Sequence, residues 1–180
     1  MIISQEFYSR KTLIVAQDPL GCFLVRKING KVMRAKIIET EAYNGPKDLA
    51  SHASRGKTER NKIMFGEPGT IYVYFTYGMH YMFNIVTEAK DYPAAVLIRA
   101  VVVKNNGKEK FNTNGPARLT KFLQIDKKFN GLSVCTKKYG LWVESREKKL
   151  LPGKIKKAKR VGIDYAKEYK DKLWRFILAD

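Results

Sequence analysis

The sequence has few of the residues that build disulfide frameworks or metal centres. Its 180 residues include two cysteines, Cys22 and Cys135, and two histidines, His52 and His80. Cysteines so far apart form neither a disulfide framework nor a zinc site, so we expect a reducing compartment. No His/Cys/Asp cluster has metal-ligand spacing, and there is no glycine-rich phosphate loop or dinucleotide fingerprint. We therefore expect neither a metal nor a cofactor.

Long apolar runs and targeting signals are also missing. No apolar run approaches the roughly 20 residues that span a bilayer. Residues 1–21 lack a basic region followed by a long apolar one, and Asp18-Pro19 interrupts them. We expect no secretion or membrane signal and a cytoplasmic location, associated with the nucleoid if the source is prokaryotic.

Acidic residues are scarce relative to basic ones. Lys and Arg total 35 against 17 Asp and Glu, a net charge of +18. Such an excess favours a polyanionic partner. The alternatives are a basic protein without such a partner, or a membrane-surface protein, which would need an amphipathic basic helix that we do not find. Residues 146–160 carry eight basic residues and one acid. This stretch either follows phosphates or is a solvated face.

Hairpin-like strands dominate the pattern of apolar residues. It predicts strands over residues 23–27, 31–43, 70–77, 80–88 and 94–103. Short helices are predicted over residues 10–17 and 117–124, the second capped by Asn114 with Pro116 in its first turn. We expect one α+β domain over residues 1–180. It should have a curved, mostly antiparallel or mixed sheet, peripheral helices and a projecting β-hairpin.

Residues 44–69 form a polar stretch between two predicted strands. At 26 residues it is longer than most loops within a compact domain. Loops of this length are often functional.

Two carboxylates and a phenol alternate along one predicted strand. Period-two geometry puts Glu39, Glu41 and Tyr43 on the same face. A positioned carboxylate can activate water, which makes this face a candidate acid/base site. The alternative is an exposed face on which the Glu side chains pair with Lys or Arg.

Aromatic residues are concentrated in the segment TIYVYFTYGMHYMFN. Tyr72, Tyr74 and Tyr77 lie close to Gly78, where the chain can turn tightly. Enzymes that act on an extruded nucleotide use aromatic side chains to stack on bases or to wedge between them. The alternative is an aromatic strand that simply fills the core.

Several blocks of the sequence occur in the order of a known enzyme family. They are ETEAYNGPKDLASHASRG, RNKIMFGEPGTIYVYFTYGMHYMFNIV, VLIRA, NGPARLTKFL, RVGIDYAKEY and RFIL. From about residue 11 to the end, the chain resembles the alkylpurine (3-methyladenine) DNA glycosylases, also called N-methylpurine DNA glycosylases. Each block alone is weak, but their joint spacing is specific.

The resemblance implies a monofunctional glycosylase that flips a damaged purine from duplex DNA and hydrolyses its bond to deoxyribose. Glu41 matches the general base that deprotonates water, and Arg99 and the carbonyl of Val161 match groups that hold this water. The remaining alternatives are a non-catalytic nucleic-acid binder and a bifunctional glycosylase/lyase with a lysine nucleophile. No Lys occupies the position of Glu41.

The resemblance also implies a set of binding residues. Tyr43, His52 and Tyr74 match the walls that stack on the flipped base, and Asn84 matches the residue that crowds the exocyclic amino group of guanine. Tyr77 matches the wedge that enters the minor groove. Other DNA contacts are expected at Gly78, Met79, Lys154, Lys156, Lys157 and Arg160. We expect a monomer that binds double-stranded DNA containing a damaged purine.

Overall fold

The computed structural model describes residues 1–105 and 108–179. Its strands are β1 (Phe23–Ile28), β2 (Lys31–Tyr43), β3 (Ile71–Thr76), β4 (His80–Val86), β5 (Ala95–Asn105), β6 (Lys108–Asn112), β7 (Leu141–Glu144), β8 (Ile155–Ala158) and β9 (Arg175–Leu178). Its α-helices are α1 (Gln5–Tyr8), α2 (Thr12–Val15) and α3 (Pro116–Phe122). Short 3-10 helices cover His52–Arg55, Lys62–Phe65, Lys127–Phe129 and Lys167–Asp171.

The strands form one curled antiparallel sheet. The order along its main path is β3-β4-β5-β2-β1-β7, with β6 beside β5 and β8 beside β9. Along one edge of β2 the neighbouring strand changes. Residues 31–36 pair with β1, and Glu39–Glu41 pair with β9. An irregularity of register between Ile37 and Thr40 accompanies this exchange. The expected α+β fold with an antiparallel sheet and few helices is confirmed.

Two hairpins of the sheet turn at residues with a positive φ. Asn29 and Gly30, with φ of 48° and 80°, join β1 to β2. This pair of left-handed residues matches the twist of the flanking strands. Tyr77 and Gly78, with φ of 51° and 66°, lie in the turn that joins β3 to β4.

One large apolar cluster packs the N-terminal helices and α3 against the sheet. Tyr8 and Val15 from the N-terminal helices and Leu119 from α3 meet Ile37 and Phe83 of the sheet there. Two smaller clusters lie under the segment 44–69 and beside the C-terminal segment. Within the described residues, no helix is long and apolar enough to cross a membrane.

The structure differs from the sequence-based expectations in several elements. The helix predicted over residues 10–17 forms only over Thr12–Val15, as α2. The N-cap residue of α3 is Gly115, so Asn114 does not cap this helix. Strands β6 to β9 were not predicted. Strands β7 to β9 have four residues each, too few to show a clear alternation of apolar and polar positions.

Candidate active site

A cavity of about 390 Å³ opens between β2–β5, the segment 44–69 and the segment after β8. The residues predicted to act on a base and its bond to sugar all line it: Glu41, Tyr43, His52, Tyr74, Asn84, Arg99 and Val161. Its volume lies within the usual range for small-molecule sites. The structure thus brings together residues that are up to 120 positions apart in sequence.

Glu41 is fully buried at the cavity and its carboxylate accepts hydrogen bonds from two elements. Oε1 accepts the backbone N–H of Val161 at 2.9 Å, and Oε2 accepts the Tyr43 hydroxyl at 3.0 Å. Nη1 of Arg99 lies 3.3 Å from Oε1. These contacts confirm that Glu41 and Tyr43 share a face of β2, and they fix the orientation of the carboxylate.

Burial raises the pKa of the Glu41 carboxyl above its ordinary value. The Arg99 charge, the Val161 N–H and the Tyr43 hydroxyl act in the opposite direction. Desolvation thus makes Glu41 more basic than an exposed Glu, while its donors stabilise the ionised form. A carboxylate in this balance can accept a proton from a neighbouring group.

Arg99 is oriented by a second carboxylate. Its Nε donates to Oε1 of Glu39 at 3.0 Å, and Nη1 of Arg175 on β9 donates to the same oxygen at 2.9 Å. Glu39 therefore lies between two guanidinium groups and holds Arg99 against Glu41. The sequence pattern offered Glu39 either as part of an acid/base face or as an exposed partner of Lys or Arg. The structure pairs it with two Arg side chains, although it is only 15% exposed. The pattern gave no signal for Arg175.

The aromatic walls of the cavity contact one another. The rings of His52 and Tyr74 are 4.5 Å apart between centroids at 73°, and Tyr72 and Tyr74 are 5.4 Å apart. Nδ1 of His52 lies 2.9 Å from the Tyr72 hydroxyl. Tyr72 is buried in an apolar cluster and also lines the cavity, and Tyr74 packs against that cluster and lines the cavity beside it.

His52 is held in a form that favours neutral imidazole. Burial, followed by the nearby charge of Arg60, lowers its pKa to about 4.

The buried amide of Asn61 donates to the carbonyls of His52 and Gly56 at 2.9 and 2.8 Å. The long polar segment is therefore anchored by Asn61, a residue that sequence reasoning did not identify.

Asn84 lies on β4, with its side chain both in the cavity wall and bound to the sheet. Its Nδ2 donates to the carbonyls of Tyr72 and Met82 at 3.1 and 3.3 Å. The residue is 3% exposed. These two bonds fix the amide plane, so that a substrate cannot easily push it aside.

The tip of the β3–β4 hairpin presents apolar side chains to solvent. Tyr77 is 79% and Met79 is 68% exposed, and Tyr77 also lines the cavity mouth. An added Cβ at Gly78 would meet nothing within 4 Å, so its positive φ explains the glycine. The hairpin places an aromatic ring beside the cavity, as expected.

Comparison with known proteins identifies the family to which the chain belongs. The family model described as Methylpurine-DNA glycosylase (MPG) matches residues 6–180. The chain belongs to this family. A relative from Desulfitobacterium hafniense is 44% identical, covering 99% of this chain and 95% of its own length. One from Clostridium perfringens is 42% identical over 100% and 97%, and one from Carboxydothermus hydrogenoformans is 50% identical over 73% of each. All three are named as 3-methyladenine DNA glycosylases.

As a methylpurine-DNA glycosylase family member, the chain is a DNA repair hydrolase. Of its predicted phosphate contacts, Lys156 and Lys157 are exposed neighbours on β8, and Lys154 lies just before that strand, partly exposed. Arg160 differs from the prediction. Its side chain is fully buried and paired with Asp48, so it is not available to DNA phosphates. A charge run in sequence does not distinguish a buried Arg from its exposed Lys neighbours.

Other residues at or near this cavity escaped the sequence analysis. Tyr165 lines the cavity mouth and is 67% exposed. Asp48 is fully buried in a segment that reads as a polar loop. Spacing offers no signal for either residue, because each joins the site through tertiary contacts. Among residues 1–105 and 108–179, no group of three or more His, Cys, Asp or Glu side chains is arranged to hold a metal ion.

Proposed function

We propose that the chain is a monofunctional DNA glycosylase that flips a damaged purine from duplex DNA and hydrolyses its N-glycosidic bond with water activated by Glu41. The observation that carries this proposal is the buried Glu41 carboxylate in a base-sized cavity, with fixed donors on both oxygens. The substrates are purines of the 3-methyladenine, 7-methylguanine, hypoxanthine or ethenoadenine type.

The walls of the cavity suit a flat, electron-poor ring. Tyr43, Tyr74 and His52 bring three aromatic surfaces to it, and the lowered pKa of His52 keeps the imidazole neutral at pH 7. A purine alkylated at a ring nitrogen is cationic, and stacking on an aromatic face favours it by about 0.5–2 kcal/mol per contact. An imidazolium in the same wall would repel it.

The reaction requires one proton transfer to the protein. The bond between C1′ and the purine nitrogen breaks, and its electron pair leaves with the base. This pair neutralises a cationic alkylated purine, whereas hypoxanthine or ethenoadenine departs as an anion that takes a proton from solvent. The water oxygen bonds to C1′ and its proton passes to Glu41, which releases it to solvent as the abasic product departs. The carboxylate also stabilises the positive charge that develops on the sugar. Arg99 and the Val161 carbonyl help to hold the water.

Selection of the base follows from three features of the site. A damaged pair is weakened and flips more easily, the aromatic walls favour an electron-poor ring, and Asn84 excludes the amino group of normal guanine. The hydrogen bonds from Asn84 to Tyr72 and Met82 support the last role, because a fixed amide resists displacement.

The partner is duplex DNA that contains a damaged purine, bound by a monomer of the protein. The net charge of +18 and the exposed Lys156 and Lys157 attract phosphates. Tyr77 at the hairpin tip fills the gap that the flipped base leaves. The turn residues Gly78 and Met79 contact the groove beside it.

A base-release assay on defined duplexes tests the proposal. The protein is incubated with duplex oligonucleotides that carry single modified purines, and free base is measured by chromatography. A parallel reaction contains borohydride, which would trap a covalent protein–DNA intermediate. We expect free base and an intact abasic site that breaks only after alkali. A trapped protein–DNA adduct would instead indicate a lysine nucleophile and a lyase. Tight binding without free base would indicate a non-catalytic binder.

A further inference from the structure

A fully buried ion pair lies directly behind the proposed active site. Nη1 and Nη2 of Arg160 donate to Oδ2 and Oδ1 of Asp48 at 2.6 and 2.8 Å, and both side chains have no exposed area. Two parallel bonds of this kind hold a guanidinium and a carboxylate in one relative orientation.

The Asp48 end of the pair organises the chain immediately after β2. Oδ2 accepts the backbone N–H of Asn44 and Oδ1 accepts that of Ala50, both at 3.1 Å. Ala50 and the next two residues, Ser51 and His52, line the cavity. Asp48 thus ties the end of β2 to the start of the segment that supplies the His52 wall.

The Arg160 end connects to both proposed functional side chains of β2. Its Nη1 donates to the carbonyl of Ala42, which lies between Glu41 and Tyr43, at 2.9 Å. Its guanidinium carbon lies 5.0 Å from the centroid of the Tyr43 ring. The next residue, Val161, donates its N–H to Glu41. Strand β2 and the segment after β8 are therefore joined at two adjacent points, through the Arg160 side chain and through the Val161 backbone.

We infer that Asp48 and Arg160 are positioning residues that hold the Val161 N–H against the Glu41 carboxylate and brace the Tyr43 ring. The inference rests on the proposed function. Buried ion pairs contribute little net stability compared with apolar residues of the same size. Nε of Arg160 is also buried without a hydrogen-bond partner among the described residues, which is an energetic cost. A role in geometry explains why such a group is kept beside the cavity.

The arrangement has a consequence for the pH dependence of base release. The groups that face Glu41 are Arg99 on β5, Tyr43 on its own strand, Tyr74 on β3, and Val161 and Arg160 after β8. The Arg160 charge and the Val161 N–H both lower the pKa of Glu41. Loss of the pair therefore raises this pKa. Because a general base must be ionised, the acid limb of the rate profile should move to higher pH.

The test uses a variant in which both charges are replaced by amides. Asp48→Asn combined with Arg160→Gln leaves no unpaired buried charge, so it is expected to fold. Arg160→Lys keeps the charge and loses the two-pronged contact with Asp48. The control is Asp171→Asn, which removes the exposed pair between Asp171 and Lys159, the neighbour of Arg160. Single-turnover base release is measured against pH, together with lesion binding and thermal unfolding.

In the double variant we expect the acid limb to move to higher pH, with plateau base release slower by about tenfold or more. Arg160→Lys should show the slower plateau with a smaller shift of the acid limb, because the positive charge near Glu41 is kept. The Asp171→Asn control should match wild type in both. A purely structural role would lower the unfolding temperature and leave the acid limb in place.

The outcomes separate this inference from the proposed function. If the wild-type protein releases no base from any modified duplex, the proposed function is wrong. If wild type is active and the folded double variant keeps both its acid limb and its plateau rate, the positioning role is wrong. If the double variant does not fold, Arg160→Lys becomes the deciding variant. Base release by Arg160→Lys at the wild-type plateau rate would then show that the inference is wrong.

Discussion

The backbone N–H of Val161 donates to Oε1 of Glu41 at 2.9 Å, across 120 residues of sequence. The bond joins the segment after β8 to the middle of the sheet and occupies one of the two carboxylate oxygens. It leaves the orientation of Glu41 independent of substrate, since Tyr43 binds the other oxygen. A preorganised carboxylate of this kind costs no rearrangement at the moment of reaction.

Replacement of Glu41 should separate binding from chemistry. Glu41→Gln keeps the shape of the side chain but cannot accept a proton from water. We expect base release to fall by roughly 10²–10⁴ while lesion binding is retained, which is the usual contribution of a general base. Single-turnover release and a binding titration measure the two effects. Residual activity within about tenfold of wild type would remove Glu41 from this role.

Glu39→Gln is the matched control on the same strand. Glu39 contacts Arg99 and Arg175, so the change loosens Arg99 without removing the proposed base. We expect a smaller loss of base release than in Glu41→Gln. If Glu39→Gln is the more damaged variant, the assignment of the base along β2 is wrong.

His52 should make the stability of the protein depend on pH. Its pKa is lowered from 6.5 to about 4 in the folded state. The native state resists protonation, so stability present above pH 6.5 is lost as the pH falls towards 4. When the pH is lowered across this range, the free energy of unfolding measured with denaturant should fall less in His52→Gln than in wild type. An identical slope in His52→Gln and wild type would contradict the prediction.

Adjacent lysines on β8 offer a test of which sheet face meets DNA. Successive side chains of a strand point to opposite faces, so Lys156 and Lys157 extend from different faces of β8. We expect one of Lys156→Glu and Lys157→Glu to flatten the plot of log affinity against log salt by about 0.9, the value for one phosphate contact. The other variant serves as the control. Unchanged slopes in both would make this strand a solvated face.

Tyr77 should matter for DNA and hardly for folding. Because it is 79% exposed, Tyr77→Ala should change the free energy of unfolding by less than about 0.5 kcal/mol. Lesion binding should weaken by about tenfold or more, since base stacking on an aromatic ring is worth roughly 1–3 kcal/mol. Tyr77→Phe should retain most of the affinity. Val32→Ala, at an exposed apolar position on the β1–β2 hairpin, is the control. Equal binding by Tyr77→Ala and wild type would contradict a wedge.

The sequence predicts those parts of the structure that are specified by residues close together in the chain. Asn29-Gly30 specifies a hairpin by its backbone preferences, and alternation along β2 places Glu39, Glu41 and Tyr43 on one face. The short strands β7 to β9 depend on neighbours far away in sequence. Arg160 shows the same limit for the site, because its burial depends on Asp48, 112 residues earlier. Charge is visible in a sequence, whereas the partner that buries it is not.

Asn84 provides the sharpest test of base selection. Its amide is fixed by bonds to the carbonyls of Tyr72 and Met82, so its bulk in the cavity wall does not yield. Asn84→Ser should open room for the amino group at C2 of guanine and increase the excision of normal guanine. Adenine and hypoxanthine lack that group, so their excision should change less. Rejection by steric overlap discriminates strongly between such bases.

The measurement is single-turnover release of guanine and of hypoxanthine, each opposite the same pyrimidine, by wild type and Asn84→Ser. A ratio of guanine to hypoxanthine release that stays level or falls would exclude Asn84 as the selecting residue, and it would leave the role of Glu41 intact.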